Sequence, residues 1–171
     1  MSKGLTDNTK VVIDLKNVND LATKLSDAID ELGIDTGIKW TFGELAQQVN
    51  VLYHEKHTID QAASKTLDIN AGTPSLKDAF GVALTLKAIK FLYIKNRSGD
   101  LIVSVFGGAD NDLLIMGGTT DAEQLPPGSW LVWACPTAAG IVTTVNKNLK
   151  LAVSAGSGSA IIDVAILGLK V

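Results

Sequence analysis

The stretch LPPGSWLVWACPTAAGIVTTV, residues 125–145, contains a complete β-strand together with its start and stop signals. Pro126 and Pro127 cannot donate to a β-ladder, so pairing is expected to begin just after them, and Pro136 ends it. Apolar side chains fall on both faces of this strand, which is typical of a sandwich interior or a subunit interface. A second β-rich run, residues 140–145, follows a short turn. We therefore expect the two runs to form an antiparallel hairpin.

This strand carries two tryptophans and the single cysteine of the chain. Because successive strand residues alternate between faces, Trp130 and Trp133 point to opposite sides, and we expect both to be buried in the core. A single cysteine excludes an internal disulfide, and the apolar neighbours of Cys135 indicate a buried structural thiol.

The rest of the chain consists largely of short segments of alternating polarity, separated by turns rich in Gly, Pro, Asn and Asp. These segments predict about nine or ten strands with no regular alternation of strand and helix. The pattern is typical of a mainly β protein built as an antiparallel β-sandwich or jelly roll. In the longest segment, residues 82–96, the lysines do not keep one parity, so we expect a break or β-bulge near Ala88 that resets which face they point to.

The N-terminal region departs from this pattern, and we divide the chain into an arm and helix over residues 1–46 and a β-sandwich domain over residues 47–171. A short β run covers residues 10–16, and residues 20–32 carry apolar side chains at helical spacing. This amphipathic helix would either cover the core of its own chain as a lid or attach the chain to a partner. The side chains expected to bind a partner are Val12, Ile13, Leu21, Leu25, Ile29 and Leu32.

Charge and composition exclude several classes of partner. The net charge is −3, the pI is about 5.3, and lysine and arginine are scattered among acidic residues, so nucleic acid is not an expected partner. No apolar run approaches the roughly 20 residues that span a bilayer, and the first residues lack the pattern of a signal peptide. We therefore expect a soluble protein made in the cytoplasm, with no membrane partner.

Two polar clusters suggest metal sites but lack the required geometry or ligands. His54 and His57 flank Glu55, yet these two positions of a strand face opposite sides. The acidic residues 110–112 lack the downstream glutamate of a calcium loop, so we interpret them as a turn. The nucleophile, phosphate-loop, zinc and Cys-x-x-Cys motifs of common enzymes are also missing. We expect no metal, no cofactor and no enzymatic activity.

Four short segments, spread over residues 47–168, carry a resemblance to a family. They are LKDAFG at Leu76 to Gly81, LYIKN at Leu92 to Asn96, PPG at Pro126 to Gly128, and DVAILG at Asp163 to Gly168. In this order they resemble a set of small virion proteins of tailed bacteriophages, which includes capsid decoration (cement) proteins and head fibres. The resemblance implies a structural β-domain of a virus particle.

Two functions follow from the resemblance. The leading interpretation is a capsid decoration protein that is located in the virion, binds the major capsid protein and stabilises the outer shell. Such a protein is expected to associate with itself, as a homotrimer. The alternative is a receptor- or glycan-binding domain of a head or tail fibre, for which exposed tryptophan or tyrosine side chains are expected.

Overall fold

A computed structural model of the chain describes residues 9–10, 39–70, 76–77, 81–107, 113, 121–143 and 148–171. These ranges contain fourteen strands and no helix. The strands are β1 (Thr9–Lys10), β2 (Lys39–Phe42), β3 (Gln48–Val49), β4 (Val51–Asp60), β5 (Ser64–Asp68), β6 (Leu76–Lys77), β7 (Ala83–Leu84), β8 (Leu86–Asn96), β9 (Val103–Gly107), β10 (Glu123–Leu125), β11 (Trp130–Ala134), β12 (Ile141–Val142), β13 (Asn148–Val153) and β14 (Ser159–Lys170).

Two antiparallel sheets contain most of these strands, which confirms the prediction of a mainly β protein. The four-stranded sheet has the order β10-β9-β13-β5. The five-stranded sheet has the order β11-β8-β14-β4, and β12 also pairs with β8. From β4 onward the chain passes from one of these sheets to the other at most connections. Two smaller groups complete the description, β1-β2-β3 and the pair β6-β7.

Both large sheets contribute side chains to one hydrophobic core. Alternate residues of β13 are buried, and the same alternation is seen in β9. The even-numbered positions 160–166 of β14 supply the facing side chains from the five-stranded sheet. Leu151, Val105 and Val164 are all completely buried in the same cluster. The inner faces of the two sheets therefore share a single core.

The predicted bulge in β8 is confirmed, and it occurs twice. In the ladder with β14, Phe91 pairs with Leu167 while Ile89 pairs with Gly168, so Lys90 has no partner in the ladder. A second register shift leaves Lys87 without one. At this point a side chain on Gly168 would approach the Ala88 carbonyl oxygen to 2.4 Å, so only glycine fits there.

The predicted hairpin between residues 129–135 and 140–145 is wrong. Both β11 and β12 pair antiparallel with β8: Trp133 lies opposite Leu92, and Ile141 lies opposite Ile89. The two strands are therefore successive parts of one interrupted edge strand. Pro136 begins a short excursion that leaves the ladder and returns to the same neighbour instead of reversing direction.

Residues 39–49 pack on the outer side of the five-stranded sheet. Trp40 and Val49 are buried there in a second, smaller cluster with Phe91 and Leu167. The two bulged lysines of β8 contact the turn between β2 and β3. Lys90 Nζ donates to the Leu45 carbonyl at 2.6 Å, and Lys87 Nζ lies 2.7 Å from a carboxylate oxygen of Glu44. The bulges therefore bring Lys87 and Lys90 to the outer side of the sheet, which also carries Lys95, although the spacing of the three lysines in the sequence does not fit a regular strand.

Candidate functional site

The six side chains predicted to bind a partner lie outside the described residues. Val12 and Ile13 belong to the predicted β run, and Leu21, Leu25, Ile29 and Leu32 belong to the predicted helix. Their role stays a prediction. The part of the chain that the structure describes contains a different candidate, which is found by comparing the outer faces of the two large sheets.

The outer face of the four-stranded sheet is polar. It consists mainly of serine, threonine, lysine and glutamine from neighbouring strands, including Thr66 opposite Lys150 and Ser104 opposite Gln124. The aromatic side chain that the described residues place on this face, Phe106, is half-buried and is covered by Lys150, whose Nζ lies 5.3 Å from the ring centroid. The side chains of this face can therefore be exposed to solvent without leaving a large apolar surface uncovered.

The outer face of the five-stranded sheet carries large exposed apolar side chains by contrast, together with a row of charged ones. One row across the sheet contains Val132, Tyr93 and Ala165 as direct neighbours. Trp130, Ile161 and Leu52 lie on the same face and are 47%, 40% and 39% exposed. The surface called here the outer apolar face consists of Leu52, Tyr93, Trp130, Val132, Ile161 and Ala165. Large exposed apolar patches of this kind often mark sites of protein–protein contact.

The expectation that Trp130 is buried is wrong, whereas Trp133 does point toward the core. Trp133 is partly buried against the main cluster, but Trp130 is 47% exposed on the opposite face. The reason is that β11 is an edge strand, and residues 39–49 cover only the end of the face around Phe91 and Leu167. Cys135, just beyond β11, is half-buried rather than buried, with its Sγ 3.2 Å from Thr137 Oγ1.

A charged row crosses the outer apolar face, between Ile161 and the row that contains Val132, Tyr93 and Ala165. This row contains one residue from each strand, in the order Trp130 (β11), Lys95 (β8), Asp163 (β14) and Lys56 (β4). The carboxylate of Asp163 is nearly buried and forms an ion pair with Arg97 Nε. Three cations therefore stand near one carboxylate that is already paired. This surface is locally basic on a chain of net charge −3.

A hydrogen-bonded polar cluster lies on the other face of β4. Tyr53 Oη donates to Glu55 Oε2 at 2.8 Å and lies 2.9 Å from His57 Nε2. The tyrosine and histidine side chains are almost fully buried, whereas the glutamate side chain is about half exposed. Because the hydroxyl proton goes to Glu55, the Nε2–H of a neutral His57 donates to Tyr53 Oη. The Nδ1 atom of His57 is buried without a hydrogen-bond partner among the described residues.

Burial controls the protonation of this cluster. It lowers the pKa of His57 below its usual 6.5, and the positive charge of Lys65 adds to this effect, while Glu55 opposes it. Burial also raises the pKa of Tyr53, helped by its hydrogen bond to Glu55. The cluster is therefore a neutral imidazole and a neutral phenol beside one carboxylate.

The free energy of unfolding is expected to fall as the pH drops below about 6.5, with a contribution from His57. In this range the unfolded chain binds a proton at this histidine with a pKa near 6.5, but the folded chain does not until its own lower pKa is reached. Stability is therefore lost between the two pKa values, by up to about 1.4 kcal/mol per pH unit. Urea titrations at several pH values between 7 and 5 measure this slope, to which a single buried histidine contributes at most one proton.

The His57→Gln variant removes the titrating group and is expected to flatten this slope. His54→Gln is the matched control, because His54 lies on the same strand but is exposed on the outer side. The control should keep the slope of the unchanged protein. Equal slopes in all three proteins would show that His57 has the same pKa in the folded and unfolded states, and would contradict the effect of burial.

The histidines of β4 do not form a metal site with each other. As the sequence indicates, His54 is exposed on one face and His57 is buried on the other. The described residues contain no group of three or more His, Cys, Asp and Glu side chains that could hold a metal ion. They also contain no helix that is long and apolar enough to cross a membrane.

The features of this candidate site are those of a contact surface. It offers exposed aromatic and aliphatic side chains, three cations and a paired carboxylate on one face of a sheet. The sequence matches no protein-family model and is similar to none of the curated proteins compared with it.

Proposed function

We propose that this chain is a capsid decoration protein of a tailed bacteriophage, and that the outer apolar face is the surface that binds the shell. The observation that carries the proposal is the difference between the two outer faces. A domain surrounded by water on all sides has no need of an apolar face with Trp130, Ile161 and Leu52 exposed. The resemblance of the four sequence segments to phage virion proteins supplies the identity of the partner.

The proposal includes the fold. We infer that the two large sheets are stacked as a jelly roll. Support comes from the strand orders β10-β9-β13-β5 and β11-β8-β14-β4, from the repeated crossing between sheets, and from the shared core. Two of the segments that carry the resemblance are also in contact, because Gly128 N donates to the Asn96 carbonyl at 3.0 Å.

In this proposal the protein acts by binding to the shell and stabilising it, and no catalytic residue is needed. A protein that binds only the assembled shell shifts the equilibrium toward that shell by mass action, and many copies multiply the effect. The partner is then the major capsid protein, the location is the virion, and the chain associates with itself as a homotrimer. The three cations on this face, Lys56, Lys95 and Arg97, favour a shell surface that carries acidic side chains.

Shell binding is tested with full-length protein added to particles that lack it. The Trp130→Ser, Ile161→Glu double variant is expected to reduce the number of bound copies at least about tenfold, since it removes apolar contacts and adds charge. Copies bound are counted by gel densitometry of purified particles. A tagged unchanged protein imaged on virions should label the shell.

The matched control is Ser104→Glu, which adds the same charge to the polar outer face of the other sheet. It should bind as well as the unchanged protein, and circular dichroism should show similar melting temperatures for all three. Equal binding by the control and the double variant would contradict this surface. Labelling of the tail or neck would contradict a decoration role.

The exposure of Trp130 favours a second candidate, a glycan-binding domain of a head or tail fibre. An exposed indole beside Lys95 and the Arg97–Asp163 pair combines an apolar platform with hydrogen-bonding groups, as sugar sites do. A glycan array distinguishes the two functions. Specific binding that Trp130→Ala abolishes, with no labelling of the shell, would favour the fibre domain.

A further inference from the structure

One edge of β11 carries backbone groups that pair with no other strand of the described residues. Asn96 N donates to the Ser129 carbonyl at 2.9 Å, and Cys135 N donates to the Lys90 carbonyl at 2.8 Å. Since hydrogen bonding alternates along an antiparallel pair, the odd-numbered residues in this register bond to β8. The N–H and C=O groups of the even-numbered residues Trp130, Val132 and Ala134 therefore point away from β8. No strand in the described ranges pairs with that edge.

The opposite edge of the same sheet is protected, and this edge is not. Strand β4 carries the charged residues Glu55 and Lys56 in succession, and charged residues of this kind prevent edge strands from pairing with other chains. Strand β11 has the sequence WLVWA, with no charge and no proline. An exposed, uncharged and aromatic edge is the type that recruits another strand.

We propose that β11 pairs with β11 of a second copy of this chain, antiparallel and about a twofold axis at Val132. Twofold pairing places residues opposite each other symmetrically about the axis. Only the register centred on Val132 places all three outward-pointing residues opposite outward-pointing residues. Each such pair exchanges two hydrogen bonds, so about six backbone bonds would form.

The side chains are complementary in this register. On the outer face, the large Trp130 lies opposite the small Ala134 of the partner subunit, and Val132 lies opposite the same residue of the second copy. On the inner face, Leu131 lies opposite Trp133 of the partner subunit, and each is partly buried in its own core. No like charges meet within the ladder. Pro127 and Pro136 lie just beyond its two ends and limit it to this length.

This contact goes beyond the proposed function, because it specifies a self-contact, a register and a symmetry. It joins the outer apolar faces of two copies into one continuous surface. It is independent of shell binding and of threefold association, since a residue-specific cross-link detects it whatever the total number of copies. A negative result for shell binding would not contradict the contact between β11 strands, and a negative result for this contact would not contradict shell binding.

Cysteine cross-linking of full-length protein tests the register, with Cys135→Ser as the background that removes the native thiol. At Val132→Cys the two Cα atoms would lie about 5.5 Å apart, within disulfide range, so mild oxidation should give a disulfide dimer of twice the 18.0 kDa chain mass. Mixing Trp130→Cys protein with Ala134→Cys protein should give the mixed dimer faster than either protein dimerises alone.

Ile161→Cys is the matched control, because it is exposed on the same face but lies on β14, away from the edge. Little dimer is expected there. Failure of the disulfide to form at position 132, or equally fast formation at position 161, would overturn the proposal.

Amide hydrogen exchange on the unchanged protein gives a second measurement that involves no substitution. With rising protein concentration, exchange of the Trp130, Val132 and Ala134 amides should slow by at least about tenfold. The Leu131 and Trp133 amides bond to β8 and should be slow at every concentration. Exchange at the three even positions that stays fast and independent of concentration up to the millimolar range would overturn the twofold contact.

Discussion

Replacing Trp40 with alanine is expected to lower the free energy of unfolding by about 3–5 kcal/mol. The indole is 1% exposed and packs against Val49, Phe91 and Leu167 on the outer side of the five-stranded sheet. Its loss removes a large buried apolar surface and leaves a cavity that the rigid sheet beneath it cannot fill. Urea denaturation followed by far-ultraviolet circular dichroism measures the change.

Phe42→Ala is the control, because Phe42 lies two residues further along the same strand but is 54% exposed. It should change stability by less than about 1 kcal/mol. If Trp40→Ala is equally mild, then residues 39–49 are a detachable appendage of the β-body. The predicted boundary after residue 46 would then separate two parts that fold independently. A large loss in the free energy of unfolding would instead show that Trp40 belongs to the same folding unit as the β-body.

The parts of the fold that alternation determines could be predicted from the sequence. Strand β13 carries apolar side chains at every second position, Leu149, Leu151 and Val153, and this period alone indicates a strand with one face in a core. The bulges of β8 could also be predicted, because Lys87 and Lys90 break the alternation of a segment that is otherwise strongly apolar.

The neighbours of each strand could not be predicted, since alternation assigns side chains to faces and not strands to partners. The run WLVWA has two apolar faces whether it lies inside a sheet or at its edge, so the burial of Trp130 was undetermined. For the same reason, β11 and β12 were assigned to each other when both pair with β8.

The candidate surface was missed because its residues come from four separate strands. Leu52, Tyr93, Trp130 and Ile161 are far apart in sequence and meet only through the register of β4, β14, β8 and β11. A signal was nevertheless present. The segments that contain Tyr93 and Ile161 are apolar at both parities, and a two-sided strand in a small domain needs a second covering layer.

Replacing Asn96 with alanine is expected to destabilise the fold by about 3–4 kcal/mol, although only a small polar side chain is lost. Asn96 is completely buried at the end of β8. Its Nδ2 donates to the Leu101 carbonyl at 2.7 Å and to the Leu125 carbonyl at 2.8 Å, and its Oδ1 accepts from Ser98 N at 2.9 Å. One side chain thus connects β8, the following turn and the end of β10.

Ser98→Ala is a milder companion variant, expected to cost about 1 kcal/mol. The Ser98 hydroxyl also bonds to Asn96 Oδ1 and to the Leu101 carbonyl, but the residue is only half-buried. After its removal, Leu101 still accepts from Asn96. After removal of Asn96, by contrast, the Leu125 carbonyl loses its side-chain donor next to Pro126, where the start of the β11 segment is positioned. Similar losses for the two variants would contradict this central role.

Asn96→Asp separates the loss of donors from the loss of volume. The carboxylate has nearly the same size as the amide and can still accept from Ser98, but it cannot donate to the Leu101 and Leu125 carbonyls. Burial against two carbonyl oxygens should raise the pKa of the new carboxyl, so the folded variant binds more protons than the unfolded one. The free energy of unfolding of this variant should therefore fall as the pH rises above the usual aspartate pKa of about 3.9. If the variant is less stable than the unchanged protein by the same amount at every pH, the effect is one of packing instead.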